Sequence, residues 1–194
     1  MHFLRSRGAA KSARRRRQAG LSMVELLIAM LVLAVGMMGS MVLVRTAIVN
    51  NNRNKLDTTA TALAQMVLEQ ISSRSAVNAS NIIIADCAGV NRTINPNGAV
   101  APGAGALLLT SGFDSGNIDF SQDLSVPLAN NHAMQYITCG PPNQQVTYEI
   151  RWNVTTMTGF TKLVTVSARK QIATNSSALP FFSVPVTLRG IAGN

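Results

Sequence analysis

An uninterrupted apolar run near the N-terminus constrains this chain more than any other part of its sequence. Leu26 to Val44 gives 19 consecutive residues without a charged side chain, LLIAMLVLAVGMMGSMVLV. A helix of that length extends about 28 Å, close to the ~30 Å thickness of the hydrocarbon core of a bilayer. The run is longer than the apolar region of an ordinary secretory signal peptide, which has about 7–15 residues. The sequence therefore predicts a single membrane-spanning helix.

The positive charge of the chain is concentrated directly before this run. The formal net charge is +9, and residues 1–20 contain no acidic side chain but seven basic ones, namely Arg5, Arg7, Lys11, Arg14, Arg15, Arg16 and Arg17. Residues 21–194 carry 10 basic and 8 acidic residues, a net charge of +2. An isolated Arg-rich run would fit nucleic-acid binding or nuclear localisation. Because an apolar run follows, the positive-inside rule instead predicts a cytoplasmic N-terminus, with the remaining chain beyond the membrane.

The composition argues against an enzyme and against a resident cofactor. Only 13% of the residues are charged, about half of the ~25% typical of soluble domains. The two histidines, His2 and His132, leave little room for metal or acid–base chemistry, and no nucleophile constellation is recognisable. We therefore expect neither a catalytic site nor a cofactor.

Glu25 is an acidic residue at the start of the otherwise apolar segment, five positions after Gly20. A carboxylate deep in hydrocarbon costs about 2–3 kcal/mol on insertion scales, so such residues usually have a partner. At the headgroup boundary the same residue would cost little, and its position alone does not decide between these interpretations. Gly36 and Ser40, four residues apart, form a pair of small residues that permits close approach of another helix, although chance would produce it equally well.

The segment GLSMVELL at residues 20–27 resembles the prepilin motif of the type IV pilin superfamily. The resemblance covers residues 14–50: a basic leader ending in glycine, an apolar residue, glutamate at the fifth mature position, and a long apolar helix. It implies that a prepilin peptidase cuts after Gly20 and methylates the new N-terminus at Leu21. It also implies that the Glu25 carboxylate pairs with the N-terminal amine of a neighbouring subunit, which would recover part of its desolvation cost.

Some features depart from the commonest pattern of that superfamily. Leu21 stands where most members have phenylalanine, and Val42 stands where the major pilins have proline. The long leader fits a minor pilin or pseudopilin better than a major pilin. No cysteine follows the apolar run directly, which excludes a lipoprotein anchor. Cleavage by signal peptidase between Gly36 and Ser40 is an alternative, because small residues occur there.

Beyond Arg45, apolar residues recur at three- and four-residue spacing, and no proline precedes Pro96. This pattern predicts that the helix continues to about Ser73 with one amphipathic face. In the central part of the chain, 81–84 and 107–109 are short strand candidates. The small-residue segment GAVAPGAGA at 98–106 is predicted to be an exposed, mobile linker.

Alternation of apolar and polar residues in the last third predicts three strands, at 146–154, 160–168 and 182–188. We expect the first strand to be half-buried and to form a hairpin with the second. Pro185 cannot donate a ladder hydrogen bond, so the third strand is expected at an edge or a bulge. The predicted fold class is α+β and pilin-like, with a long N-terminal helix packed on a C-terminal antiparallel β-sheet.

Cys87 and Cys139 are the only cysteines, and both follow the membrane segment. Outside the cytoplasm such a pair is expected to form a disulfide. A zinc site or a nucleophilic role is a poor rival, because His132 is the one histidine after the leader and lies in an Asn-rich segment.

Together with the resemblance, these patterns predict a cleavable leader at 1–20, a membrane and assembly helix at 21–45, its amphipathic continuation at 46–75, and an extracytoplasmic β-rich domain at 76–194.

The resemblance implies a non-enzymatic minor pilin or pseudopilin. The strand around Trp152 is similar to one in the type IV pilus modification (PilV-type) proteins. The implied partners are prepilin peptidase, other pilin subunits and the bacterial inner membrane before assembly. The alternative is a single-pass anchored periplasmic binding module without a filament role. A mature charge of +2 without a basic–aromatic cluster predicts no strong nucleic-acid binding.

Overall fold

A computed structural model describes residues 22–75, 79–122, 131–141, 144–171 and 184–193 of the chain. These residues form one helix followed by seven strands, namely α1 (Met23–Ser72), β1 (Ile82–Ala85), β2 (Asn91–Ile94), β3 (Ala104–Gly105), β4 (Ala133–Ile137), β5 (Thr147–Thr156), β6 (Thr161–Lys170) and β7 (Val186–Gly193). The chain divides into two compact units, Met1–Val49 and Asn50–Asn194. Gly20 and Leu21 lie outside the described residues.

The described part of the first unit is the apolar half of α1. Ser22 precedes the helix, and its Oγ accepts a hydrogen bond from the backbone N–H of Glu25 at 3.3 Å, the arrangement of a helix N-cap. Every residue from Ser22 to Val49 is exposed. Among the described residues, α1 is the one helix long and apolar enough to cross a membrane, with a mean hydropathy of 2.6 in its most apolar part.

The second half of α1 packs on the sheet of the second unit. Its buried side chains recur at helical spacing and are Ala60, Leu63, Ala64, Val67 and Ile71. The hydroxyl of Tyr148 on β5 donates a hydrogen bond to the Leu56 carbonyl at 3.1 Å, which ties the helix to the strand. The predicted amphipathic continuation of the helix and the predicted α+β fold class are therefore confirmed.

Strands β5 and β6 form the centre of an antiparallel sheet whose order is β3-β5-β6-β7, and β4 also pairs with β5. Strands β3 and β4 share one edge of β5, because β3 pairs with its end at Asn153 and Val154 while β4 pairs with 147–151. Strands β1 and β2 form a separate antiparallel pair. The β5–β6 hairpin is confirmed. The strand predicted at 182–188 begins later, as β7, directly after Pro185, and 182–183 lie outside the described residues. As expected for the third strand, β7 is an edge strand among the described residues.

The face of the sheet that meets α1 forms the hydrophobic core. Trp152 is fully buried at its centre, opposite Val166 on β6, and its indole N–H donates to the Asn95 carbonyl at 3.0 Å. Other fully buried members from the two strands are Ile150, Val154, Val164 and Ala168. These side chains all point to the face of the sheet that packs on α1. Apolar residues therefore recur at every second position, which is why the sequence predicted the strands.

The prediction that β5 is half-buried was wrong, because its second face is covered as well. Glu149, Arg151 and Asn153 on that outer face are 1–3% exposed. Arg151 donates to the Asp119 and Gln122 carbonyls, and Asn153 donates to the Ala106 carbonyl at 2.9 Å. Parts of 106–122, which belong to the connection between β2 and β4, therefore lie over the outer face and satisfy buried polar groups there.

The prediction of an exposed, mobile linker at 98–106 was wrong as a whole, although 99–102 are exposed. This segment contains β3, forms a bridge between Ala99 and Thr155, and ends at the fully buried Ala106. Gly105 has a φ of +111°, and a Cβ there would collide with the Trp152 carbonyl and the His132 ring. Small residues occur here because the backbone lies directly against β5, a reason that composition does not reveal.

Of the two strands predicted in the central part of the chain, one is present and one is not. The strand candidate at 81–84 corresponds to β1. Residues 107–109 form no strand and contribute an isolated bridge from Leu108 to Ile118. Strands β2 and β4 were not predicted, because their short sequences carry no clear alternation.

A buried lysine joins the sheet to the end of α1. Lys162 on β6 is fully buried, and its Nζ donates to the carbonyls of Arg74 and Ser75 at 3.1 Å and lies 3.5 Å from the Pro96 carbonyl. A cation at a helix C-terminus is favourable, because the last carbonyls carry partial negative charge. Burial nevertheless lowers the pKa of Lys162 below its ordinary value of 10.5.

We expect Lys162→Met to destabilise the second unit by about 1–3 kcal/mol, because at least two carbonyls lose their donor. The unfolded chain binds more protons in the pH range between the lowered pKa of Lys162 and 10.5, so Lys162 makes stability rise with pH there. The variant should lack that rise. Urea unfolding followed by Trp152 fluorescence at several pH values measures both effects. Lys55→Met, at an exposed position, should change stability by less than about 0.5 kcal/mol. Equal stability of the two variants would contradict this role of Lys162.

Candidate functional site

The sequence motif places its acidic residue in the first turn of α1. Glu25 is exposed and forms no ion pair within the described part of the chain. Its position three residues after the N-cap Ser22 fits the preference of helix N-termini for acidic side chains. The carboxylate is thus held at the end of the helix, close in sequence to Leu21, and is open to contact with another molecule.

Gly36 and Ser40 lie one helical turn apart on the same exposed half of α1. A Cβ at Gly36 would meet nothing within 4 Å. The Ser40 hydroxyl donates a hydrogen bond to the Met37 carbonyl at 2.8 Å. The hydroxyl therefore keeps a partner within the helix when apolar groups cover this stretch. This stretch can therefore accept a neighbouring helix or lipid without leaving that hydroxyl unpaired.

The second unit is cross-linked by the disulfide Cys87–Cys139, whose Cα atoms are 5.0 Å apart. It connects the turn after β1 to the chain just after β4. Asp86 organises that turn by accepting hydrogen bonds from the N–H groups of Ala88 and Val90 and from the Arg92 guanidinium. Burial alone would raise the pKa of Asp86, but these donors, led by Arg92, hold it below its ordinary value.

We expect removal of the disulfide by Cys87→Ser and Cys139→Ser together to destabilise the second unit by about 4 kcal/mol, since the closed loop spans 52 residues. The physical reason is the larger conformational freedom of the unfolded chain. The measurement is urea unfolding by Trp152 fluorescence, with the wild-type chain under reducing conditions as the matched control. The double variant and the reduced wild type should coincide. A double variant as stable as the oxidised protein would contradict the expectation.

His132 lies outside the strands, as its Asn-rich surroundings suggested, and it is buried. It lies directly before β4, with Nε2 3.0 Å from the Asn97 carbonyl and its ring 6.0 Å from that of Trp152. Its contacts are those of a residue packed into the domain.

Sequence reasoning missed a charged cluster on the outer face of the sheet. Glu149 pairs with both Arg151 and Arg169, and the Arg169 distance is 2.9 Å. The Phe120 ring packs against both guanidinium groups, with its centroid 4.4 Å from Cζ of Arg169 and 5.1 Å from that of Arg151. Cation–π contacts of this kind are short enough to contribute to stability. In the sequence these residues alternate with apolar ones, a pattern typical of a solvated face. In the structure residues 119–122 contact the two arginines and help to bury the cluster.

Comparison with known proteins bears on the N-terminal site. Residues 15–41 match the family model described as the Prokaryotic N-terminal methylation motif. The matched range contains Gly20, Leu21, Glu25, Gly36 and Ser40. The motif supports a type IV pilin-like protein. No curated protein and no solved structure matches the chain.

The methylation motif and α1 lead to the same general interpretation. The motif is typical of structural proteins that are anchored in a membrane and then assembled into a pilus. The exposed apolar half of α1 supplies a segment suited to both stages. A role as a pilin or pseudopilin in general is thus supported.

Proposed function

We propose that the protein is a minor pilin or pseudopilin, cleaved by prepilin peptidase between Gly20 and Leu21, methylated at Leu21, and assembled through α1. The observation that carries this proposal is the matched motif at 15–41 running directly into a helix whose first half is exposed throughout. The protein would be a substrate of the peptidase and a structural subunit, with no chemistry of its own.

The exposed half of α1 supplies the physical reason for assembly. Its apolar side chains include Leu27, Leu31, Met38 and Val42, each exposed by about 60% or more. Such a surface is stable in hydrocarbon and unfavourable in water, so leaving the bilayer requires other subunits to cover it. Gly36 and Ser40 would allow those helices to approach closely.

The finer assignments belong to the same proposal. The leader would be 1–20, the assembly helix 21–45, its amphipathic continuation 46–75 and the periplasmic domain 76–194. The N-terminus would remain in the cytoplasm and the anchor in the inner membrane until assembly, as the leader's positive charge favours. The resemblance to the PilV-type minor pilins fits a subunit of a type IV pilus, and a type II secretion pseudopilus is the other filament that the proposal covers.

The decisive experiment is an intact-mass and N-terminal determination of the protein from the membrane fraction. We expect a chain that begins at Leu21 with one added methyl group on its amine. In a strain without prepilin peptidase, and in a Gly20→Val variant, the chain should begin at Met1 or at the residue exposed by removal of Met1. A wild-type chain that keeps its leader would support the anchored binding module, and one that begins near Ser40 would indicate signal peptidase.

A further inference from the structure

A polar groove of about 770 Å³ lies on the outer face of the sheet, away from α1. Its floor includes a row of three paired residues, because Gln135 on β4 lies opposite Glu149 on β5, and Glu149 lies opposite Arg169 on β6. Residues paired in this way point to the same face of a sheet. The volume falls in the range of small-ligand sites, which is about 300–1,000 Å³.

The charges at this floor are shared unequally between the two arginines. One carboxylate, Glu149, serves two guanidiniums, Arg151 and Arg169. The remaining donors of Arg151 are satisfied by the Asp119 and Gln122 carbonyls, which bring no full charge. The Asp119 carboxylate accepts the N–H of Ser121 at 2.8 Å, and its pKa is lowered chiefly by Ser121 and also by the charge of Arg151. Arg151 thus interacts with two carboxylates, whereas Arg169 shares Glu149 with it, so Arg169 is the less compensated guanidinium. It lies beside a partly buried surface, where its attraction for an anion is less screened than in bulk water.

Arg169 also has hydrogen-bonding capacity to offer. Its Nε and Nη2 bond to Glu149, and Nη2 also donates to the Phe120 carbonyl at 3.4 Å, whereas Nη1 donates to no acceptor within the described part of the chain. The side chain is 33% exposed. The guanidinium lies over the Phe120 ring, with Cζ 4.4 Å from the ring centroid, and this contact restrains the side chain.

The rest of the lining defines the chemistry of the occupant. Five of the twelve lining residues that the structure describes are amides, among them Gln135 and Gln171. Amides donate and accept hydrogen bonds at once, which suits adjacent hydroxyl groups. The best match is a ligand that is polar over its whole surface and carries an anion.

We propose that this groove binds an acidic saccharide, with the sugar carboxylate at the Arg169 guanidinium and the sugar hydroxyls at Gln135 and Gln171. This binding function is independent of processing and assembly through α1. It would place a recognition site for anionic glycans on the part of the subunit that stays outside the membrane.

The test uses the full chain in detergent micelles and isothermal titration calorimetry with trigalacturonate as the probe and uncharged galactotriose as its matched control. We expect trigalacturonate to bind at least about ten-fold more tightly than galactotriose, with an affinity that falls as salt rises. Arg169→Gln should weaken binding by about ten-fold or more, which is the effect of losing one charge-assisted pair.

Two further variants separate binding from folding. Gln135→Ala leaves the Glu149 ion pairs intact and should weaken trigalacturonate binding several-fold with unchanged thermal unfolding. Arg189→Gln removes an arginine from the outer face of β7, outside the groove, and should leave binding unchanged. Absence of trigalacturonate binding at millimolar concentration, equal binding of both trisaccharides, or full binding by Arg169→Gln and Gln135→Ala would each overturn the proposal.

Discussion

Replacement of Glu25 by leucine is expected to abolish incorporation of the protein into filaments while leaving membrane insertion and leader cleavage intact. In the proposed assembly the Glu25 carboxylate meets the methylated N-terminal amine of a neighbour inside a packed bundle of apolar helices. Leucine would leave that amine without a counter-ion in a medium of low dielectric constant, and breaking a buried pair in this way costs about 3–5 kcal/mol. Such a loss at each contact between neighbouring subunits is enough to shift assembly strongly toward the membrane-bound monomer.

The measurement for Glu25→Leu is the ratio of protein in sheared filaments to protein in the membrane fraction, together with intact mass. The mature mass starting at Leu21 should be present in the membrane and the filament signal should be lost. Glu69→Leu is the matched control, since Glu69 is an exposed glutamate on the second half of α1. It should assemble normally. Normal assembly of the Glu25→Leu variant would favour a simple membrane anchor.

Replacement of Trp152 by alanine is expected to destabilise the second unit by about 3–5 kcal/mol. The side chain is fully buried at the centre of the core, packed against β6 and α1, and the variant would leave a large cavity. It would also leave the Asn95 carbonyl without the indole donor that now lies 3.0 Å away. A loss of this size is a large fraction of the total stability of an ordinary domain, which is about 5–15 kcal/mol.

Circular dichroism during urea unfolding measures the effect, because Trp152 is the only tryptophan and its fluorescence disappears with it. Trp152→Phe is the control that separates the two contributions. It retains most of the apolar volume and loses the N–H donor, so a smaller loss of about 1–3 kcal/mol is expected. Phe160→Ala, at a side chain that is 71% exposed in the β5–β6 turn, should have little effect. A Trp152→Ala variant as stable as the wild type would show that the core repacks around the gap.

The features that the sequence predicted well are those with a local period. The 19 uncharged residues from Leu26 to Val44 and the three- and four-residue spacing after Arg45 predict one long helix, and α1 covers Met23–Ser72. Strict alternation predicts β5 and β6, because half of each strand faces one continuous core. Each of these patterns arises where one regular helix or strand packs against one surface. The spacing of neighbouring residues in the sequence is therefore enough to predict it.

The features that the sequence did not predict depend on residues distant in the chain. The composition of 98–106 is typical of a linker, but in the structure β5 lies against this segment, and a Cβ on Gly105 would collide with the Trp152 carbonyl. The alternation around Glu149 is typical of a solvated face, but residues 119–122 contact its two arginine partners. In both cases the deciding contact joins segments about 30 to 50 residues apart, and no pattern among neighbouring residues predicts it.

The sequence by itself determined that this protein has a basic N-terminal segment, an apolar helix with a prepilin-type motif and a β-rich C-terminal part, because charge, hydropathy and periodicity are properties of adjacent residues. The tertiary structure decided which small and charged residues are buried, because burial depends on what folds over them. It placed Lys162 at the end of α1, linked Cys87 to Cys139, and set Arg169 at the floor of an open polar groove. Those placements follow from strand pairing, which brings together side chains whose spacing along the chain carries no signal.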